Sequence, residues 1–254
     1  MQSYQVDPLF YMCLSKVVRY IDMWYKVTKD LPHVVKDEIL KRVMLRDKIT
    51  DENFPYLVHP KVTRLDLGGC VTNEMLGTVR LCPELEDLCL GASVGAVGPE
   101  LSSVVLASAF TTLHKLRSLV LTKLQSVTDD VIETVTSNCP LLALLDVAGC
   151  SRISNASLEA VKSLRLLYAL NISHTKVTDE GMVPYLETRG SQLTELHVSG
   201  CHGLTEETSK AVSLRCKNLK YFSSASDFSF AEVRTALDGD SALKNLEYFA
   251  WNIV

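Results

Sequence analysis

The sequence predicts a right-handed α/β solenoid, with parallel strands lining a concave face, helices covering a convex face and a helical cap at the N-terminal end. Three observations carry this. One apolar triplet recurs eight times at a nearly constant step. A small or apolar residue stands three positions beyond the triplet in successive units. A Ser or Thr followed by an acid or amide then marks the start of a helix.

The triplets run Val62-x-x-Leu65-x-Leu67, Leu85-x-x-Leu88-x-Leu90, Leu116-x-x-Leu119-x-Leu121 and Leu142-x-x-Leu145-x-Val147. They continue as Leu167-x-x-Leu170-x-Ile172, Leu193-x-x-Leu196-x-Val198, Leu219-x-x-Phe222-x-Ser224 and Leu246-x-x-Phe249-x-Trp251. Their central positions are separated by 23, 31, 26, 25, 26, 26 and 27 residues. That period and that core pattern are those of the leucine-rich repeat. Strands are expected to centre on Leu65, Leu88, Leu119, Leu145, Leu170, Leu196, Phe222 and Phe249. Each repeat buries its apolar residues only against its neighbours, so both ends need covering. Residues 1–46 read as the N-terminal helical cap and 47–254 as the repeat domain, with Phe249 and Trp251 sealing the last layer.

Within each unit the remaining residues agree. Cys70, Leu124, Cys150, Thr175 and Cys201 stand where the chain turns inward after the strand, which predicts burial for the cysteines Cys70, Cys150 and Cys201. Helix starts follow at Thr72-Asn73, Thr128-Asp129, Ser154-Asn155, Thr178-Asp179 and Thr205-Glu206. A hydroxyl there accepts from free backbone N–H groups of the first turn, and the next residue suits the positive helix end. Cys82, Cys139 and Cys216 close helices and are expected to face the core.

Hydrophobic residues make up 47% and charged residues 22%, which excludes wholesale disorder. The net charge is −4 and no long basic run occurs, so the electrostatic footprint of a nucleic-acid or anionic-membrane binder is absent. The apolar stretch from Leu9 to Val27 also holds Lys16, Arg19, Asp22 and Lys26, which a bilayer core would not accept. The first residues have neither the basic start nor the small-residue site of a secretory signal. A cytoplasmic or nuclear protein with reduced thiols is expected. Its eight cysteines contain no C-x-x-C pair, so they read as small buried hydrophobes and not as metal ligands.

The repeats resemble the cysteine-containing leucine-rich-repeat subfamily. With Lys36-Asp37-Glu38-Ile39-Leu40, Ile49-Thr50-Asp51, His59-Pro60 and the ending Trp251-Asn252-Ile253-Val254, residues 8–254 resemble the "antagonist of mitotic exit network" homologue family. The resemblance implies a non-enzymatic protein linked to ubiquitin-dependent degradation and cell-cycle control.

The segment Pro8-Leu9-Phe10-Tyr11-Met12-Cys13-Leu14-Ser15-Lys16-Val17 resembles an elongin-C-binding box. On a helix Leu9, Cys13 and Val17 form one stripe. The resemblance implies that Leu9 enters a pocket on elongin C and that Cys13 permits close approach. A second stripe, Phe10, Leu14, Val18 and Ile21, is expected to face the repeats, leaving the first for a partner. Leu31-Pro32, followed by aliphatics from Val34 and Val35, is similar to the cullin-2-type box that accompanies such segments. It is also ordinary helix-start chemistry, and F-boxes likewise begin with Leu-Pro. Adaptor-binding candidates are therefore Leu9, Cys13, Val17, Leu31, Pro32 and Val35, read either as a degradation-adaptor module or as a plain two-helix cap.

Side chains flanking each central strand residue point to the concave face. Across the repeats they read Arg64/Asp66, Asp87/Cys89, Ser118/Val120, Leu144/Asp146, Ala169/Asn171, Glu195/His197, Tyr221/Ser223 and Tyr248/Ala250. Polar ends flank an apolar middle of Val120, Leu144 and Ala169, the pattern of a protein-binding surface. Substrate-binding candidates are Val120, Leu144, Asp146, Asn171, Glu195 and His197. The long step before Leu119 places a loop at Gly91-Ala92-Ser93-Val94-Gly95-Ala96-Val97-Gly98-Pro99. It lacks the Gly-Lys-Ser/Thr of a phosphate loop. His174, His197 and Asp146 are the nearest approach to a catalytic or metal cluster, but no nucleophile or metal motif accompanies them.

The expected function is a substrate-recognition subunit of a cullin–RING ubiquitin ligase. It would hold a protein substrate on the concave face and recruit elongin B/C with a cullin-2-type ligase through the N-terminal helices. The alternatives are an F-box-like receptor linked to a Skp-type adaptor, and a non-catalytic scaffold or inhibitor that binds a cell-cycle signalling protein. No cofactor is expected, and no nucleic-acid or membrane partner.

Overall fold

The computed structural model describes residues 8–91, 100–225 and 248–252. The Gly-rich loop over 92–99 and the side chains of Phe249 and Trp251 lie outside the described residues. The cap comprises α1 (Pro8–Arg19), α2 (Ile21–Trp24), a 3-10 stretch Tyr25–Asp30 and α3 (His33–Met44), with α4 (Phe54–Leu57) before the first strand. The repeats alternate β1 (Arg64–Asp66), α5 (Asn73–Val79), β2 (Asp87–Cys89), α6 (Ser103–Phe110), β3 (Ser118–Val120) and α7 (Asp129–Asn138). They continue with β4 (Leu144–Asp146), α8 (Asn155–Val161), β5 (Ala169–Asn171), α9 (Asp179–Arg189), β6 (Glu195–His197), α10 (Glu206–Arg215), β7 (Tyr221–Ala225) and β8 (Tyr248–Asn252).

The eight strands form one parallel sheet in sequence order. Every central residue pairs with the next in register, from Leu65 with Leu88 to Phe222 with Phe249. The triplet residues described with side chains, from Val62 to Ser224, are no more than 2% exposed and merge into one continuous core. Cys82, Cys139 and Cys216 are buried at the helix ends, and all eight cysteines are free thiols. Burial pushes those three thiols up to about 12.

Cys150 and Cys201 are buried, and each thiol reaches the carbonyl of the preceding repeat's strand end: Leu121 at 3.1 Å and Ile172 at 3.0 Å. Cys70 departs from the expectation. It is half-buried and its thiol turns back to its own strand at Leu67 O, 2.7 Å away. It belongs to the first repeat, where the end of α3 stands in place of a preceding repeat and leaves a cleft beside the thiol.

Helix starts are joined from repeat to repeat. Asp129 accepts from the backbone N–H (3.0 Å) and hydroxyl (2.7 Å) of Ser154 in the next unit, and from Ser157 Oγ. Asp179 repeats this with Thr205 and Thr208. Asn73 Oδ1 accepts from Ser102 N, and Asp51 accepts from Thr72 Oγ1 ahead of the first repeat. Thr72, Thr128, Ser154 and Thr205 also cap their own helices through the side chain. Thr178 does not. Its predecessor in the ladder is Asn155, whose amide donates to Thr178 Oγ1 at 2.8 Å. An Asp there takes the hydroxyl proton and leaves both lone pairs of the oxygen for the cap; the Asn amide takes one lone pair and draws the oxygen toward the previous repeat.

A second ladder runs through the turns after the strands. Lys123, Gly149, His174 and Gly200 occupy equivalent positions and all adopt left-handed backbone, φ 61°, 74°, 56° and 67°. Lys123 N donates to Ala148 O, Gly149 N to Ser173 O and His174 N to Ser199 O. The two glycines sit under their neighbours' side chains. A Cβ on Gly149 would lie 3.0 Å from Lys123 Cγ, and one on Gly200 2.2 Å from His174 Nδ1.

Candidate functional site

The cap presents the first candidate surface. The stretch Leu9–Val27 is not one helix. It breaks at Tyr20 into α1, α2 and the 3-10 turn, and no described helix is long and apolar enough to cross a membrane. Leu14, Val18 and Ile21 form a buried stripe, while Phe10, expected in that stripe, is exposed. The stripe packs chiefly on α2 and α3, where facing the repeats was expected. The end of α1 is held by Lys48 Nζ donating to Arg19 O at 2.9 Å, and Tyr11 lies over the Arg42 guanidinium of α3 at 5.3 Å. Lys61 N donates to His59 Nδ1, so Nε2 carries the proton that goes to Asp37 Oδ1 at 2.9 Å and ties α3 to the chain entering β1.

On this scaffold Leu9 is 63% exposed, Cys13 is exposed and Val17 is half-buried against the core. Pro32 is exposed and precedes the first residue of α3, while Leu31 and Val35 are half-buried against the core. The six adaptor candidates thus separate into three at the surface and three that help to close the solenoid. Sequence reasoning missed how much of the rest of the segment is exposed: Tyr11 and Met12 beside Leu9 on α1, and Tyr20, Met23, Trp24 and Val27 at and beyond the other end of that helix. The signal was present in the composition. A segment with 14 apolar residues in 19 carries more than one buried stripe can use.

The concave face is the second surface. Arg64 Nε pairs with Asp87 Oδ2 at 2.8 Å across β1 and β2. Asp146 Oδ1 accepts from Ala148 N and Oδ2 from Asn171 Nδ2 at 3.0 Å; Asn171 Oδ1 in turn accepts from Ser173 N. His197 bridges Glu195 Oε1 through Nε2 and Ser223 Oγ through Nδ1, both at 2.7 Å. This acid–imidazole–hydroxyl chain ends on a buried serine whose oxygen also receives Ser199 Oγ, so it orders the face. His174 stands in the turn over Gly200, and among the described residues no three His, Cys, Asp or Glu side chains are grouped to hold a metal ion.

The expected exposed apolar middle is corrected. Val120 and Leu144 are half-buried and Ala169 is only 2% exposed. The short Ala169 side chain is in register between Leu144 and Glu195, which shade it. The result is a shallow depression of about 130 Å³ over β4–β6, lined by Leu144, Asp146, Ala169, Asn171, Glu195 and His197. Burial pushes the Asp146 carboxyl up, and the bonds from Ala148 and Asn171 only partly oppose it. Five of the six substrate candidates therefore meet at one place. Val120 lines a larger cleft of about 600 Å³, formed where α3 overhangs β1–β3. The α3 wall of that cleft, Asp37, Leu40, Lys41 and Met44, escaped the sequence because nothing in the repeat pattern says where the cap lies.

A leucine-rich-repeat family model matches residues 164–184, the unit around β5. The leucine-rich-repeat-containing protein LegL7 of Legionella pneumophila is similar in structure at 15% identity and a TM-score of 0.50, over 88% of this chain and 79% of that one. Internalin C2 of Listeria monocytogenes aligns over 80% and 84% at 13% identity and a TM-score of 0.46. The family match and the likeness to LegL7 agree with the parallel sheet and helix layer in showing a leucine-rich-repeat solenoid, a fold whose usual use is protein binding.

Proposed function

We propose that this leucine-rich-repeat solenoid is the substrate-recognition subunit of a cullin–RING ubiquitin ligase, with the concave face for a protein substrate and the N-terminal helices for the adaptor. One observation supports the adaptor half most. Ten of the sixteen exposed large apolar side chains among the described residues fall between Leu9 and Leu45, in the cap. A plain cap needs only enough apolar surface to close its own helices and the end of the solenoid, and Leu14, Val18, Ile21, Ile39, Leu40 and Val43 are already buried in that role. The surplus, with its Tyr, Trp and Met, has the composition of a binding patch. The box-like placement of Leu9 and Cys13 favours elongin B/C with a cullin-2-type ligase over a Skp-type adaptor.

The test is co-expression with elongin B and C followed by co-purification. Leu9→Ala combined with Cys13→Phe should abolish the complex, since an interface anchor of this kind contributes about 2–4 kcal/mol, while the melting temperature stays near wild type. Failure of the unmodified chain to bind elongin B/C moves the scaffold reading ahead. The half-burial of Val17, Leu31 and Val35 favours that reading, because these side chains serve the solenoid itself.

A further inference from the structure

We infer that the concave face takes an extended segment of its partner protein carrying a bulky apolar side chain and, about four residues away, an Arg or Lys. This rests on the reading of the concave face as the substrate surface and gives that substrate a chemistry.

The first support is charge. Residues 1–46 hold eight Lys and Arg against five Asp and Glu, whereas 47–254 hold eighteen against twenty-five. The cap is therefore net +3 and the repeats net −7. On the concave positions of β2–β7 no Lys or Arg occurs. Arg64 of β1 is engaged with Asp87 and Lys41 of α3 stands in the same cleft as Asp66, which leaves the carboxylates of Asp146 and Glu195 to set the potential over β4–β6. A basic partner segment is the complementary one.

The second support is relief. The cleft under α3 has the volume of a ligand pocket, about 600 Å³, and Met44, Cys89 and Val120 give it apolar walls suited to an aliphatic or aromatic anchor. The depression over β4–β6, about 130 Å³, has room for the head of one side chain. Glu195 gives only one carboxylate oxygen to His197, and each Asp146 oxygen accepts a single bond, Oδ1 from Ala148 N and Oδ2 from Asn171, so both carboxylates that line the depression keep lone pairs. Burial holds the Asp146 carboxyl up, a cost that a guanidinium or ammonium placed there would offset.

The third support is spacing. One cleft is centred on β2 and the other on β5, three strands apart. At roughly 4.8 Å per strand that is about 14 Å, and an extended chain covers it in about four residues. A segment running across the strands thus reaches both sites with about three residues between its anchors.

The test uses the full chain on an array of defined decapeptides. Each carries one Leu or Phe and one Arg, separated by zero to six Ser or Gly residues. Retention should peak at three intervening residues and fall at least tenfold when the Arg is replaced by Gln. Glu195→Gln together with Asp146→Asn should erase the Arg preference but keep the apolar one. Val120→Lys should do the reverse, with both proteins melting near wild type. Retention independent of spacing, a preference for acidic peptides, or no retention of any peptide at tens of micromolar overturns the inference. Elongin co-purification reads the adaptor surface separately. A failed array with an intact elongin complex sinks only this inference, and a selective array without elongin binding sinks only the ligase reading.

Discussion

Asp179 holds Thr205 with both carboxylate oxygens: Oδ1 accepts the backbone N–H at 3.0 Å and Oδ2 accepts the hydroxyl at 2.6 Å. Thr205 begins the next helix, and its oxygen accepts from Glu207 N at 3.3 Å while its proton goes to Asp179. One carboxylate therefore fixes the start of the helix that follows its own, with Thr208 as a third donor. Asp51, Asn73, Asp129, Asn155 and Asp179 in this way tie successive helix starts together at every step but the one from α6 to α7.

Asp179→Ala should cost about 1–2 kcal/mol, less than the sum of three charge-assisted bonds because the site is partly exposed. Burial alone would raise the carboxyl, but the bonds from Thr205 and Thr208 reverse it and hold the group below the usual carboxylate range; Asp129 behaves alike through Ser154 and Ser157. A folded-state pKa below the unfolded one gives stability that is complete above about pH 4 and lost as pH falls through the folded value. Urea melts of wild type and Asp179→Ala should therefore differ at pH 7, and the difference should narrow as pH falls below about 4. A gap that does not narrow at all as pH falls below about 4 would assign the loss to packing.

Gly200 has no substitute at its place in the turn ladder. Its φ of 67° disfavours a side chain, and the His174 ring occupies the space a Cβ would need. Gly200→Ala should destabilise by about 2 kcal/mol or more, since the left-handed backbone alone costs roughly 1–2 kcal/mol. His174→Gly removes the ring and also suits the φ of 56° at its own position. The double variant should recover part of the loss, giving a coupling above about 0.5 kcal/mol in a double-mutant cycle. Strict additivity would mean that the collision is relieved by movement of the ring.

Strand register was legible because each central residue is the one large apolar side chain that cannot be moved by a single position without turning to the wrong face. Leu65, Leu145 and Leu196 thus declared their strands. The concave chemistry was half legible. Alternation put Asp146, Asn171, Glu195 and His197 on one face, but the burial of Ala169 depends on the size of its neighbours across two strands, which a single repeat does not display. The cleft beside Val120 depends on where α3 lies, and the non-repeating cap carries no period from which to read it. The failure of Thr178 to cap had the same cause: the residue that decides it, Asn155, stands in the previous repeat.

Cys13 offers a probe of the cap that the other seven cysteines do not obscure, because it is the exposed one. Burial pushes the thiols of Cys82, Cys139, Cys150 and Cys216 up to about 12 and that of Cys89 up to about 11, and it raises Cys70 and Cys201 as well. Thiolate is the reacting form, so at pH 7.5 a group with a pKa near 12 is ionised to only about one part in tens of thousands. A maleimide at pH 7.5 should modify one equivalent rapidly, mapped to Cys13 by peptide mass, with the rest reacting only on unfolding. Cys13→Ser should remove the fast phase. If α1 is a docking helix, elongin B/C in excess should slow that phase at least tenfold, because a partner gripping Leu9 must cover the residue one turn along the same stripe. Unchanged labelling in the presence of elongin B/C would leave α1 as the lid of the solenoid and nothing more.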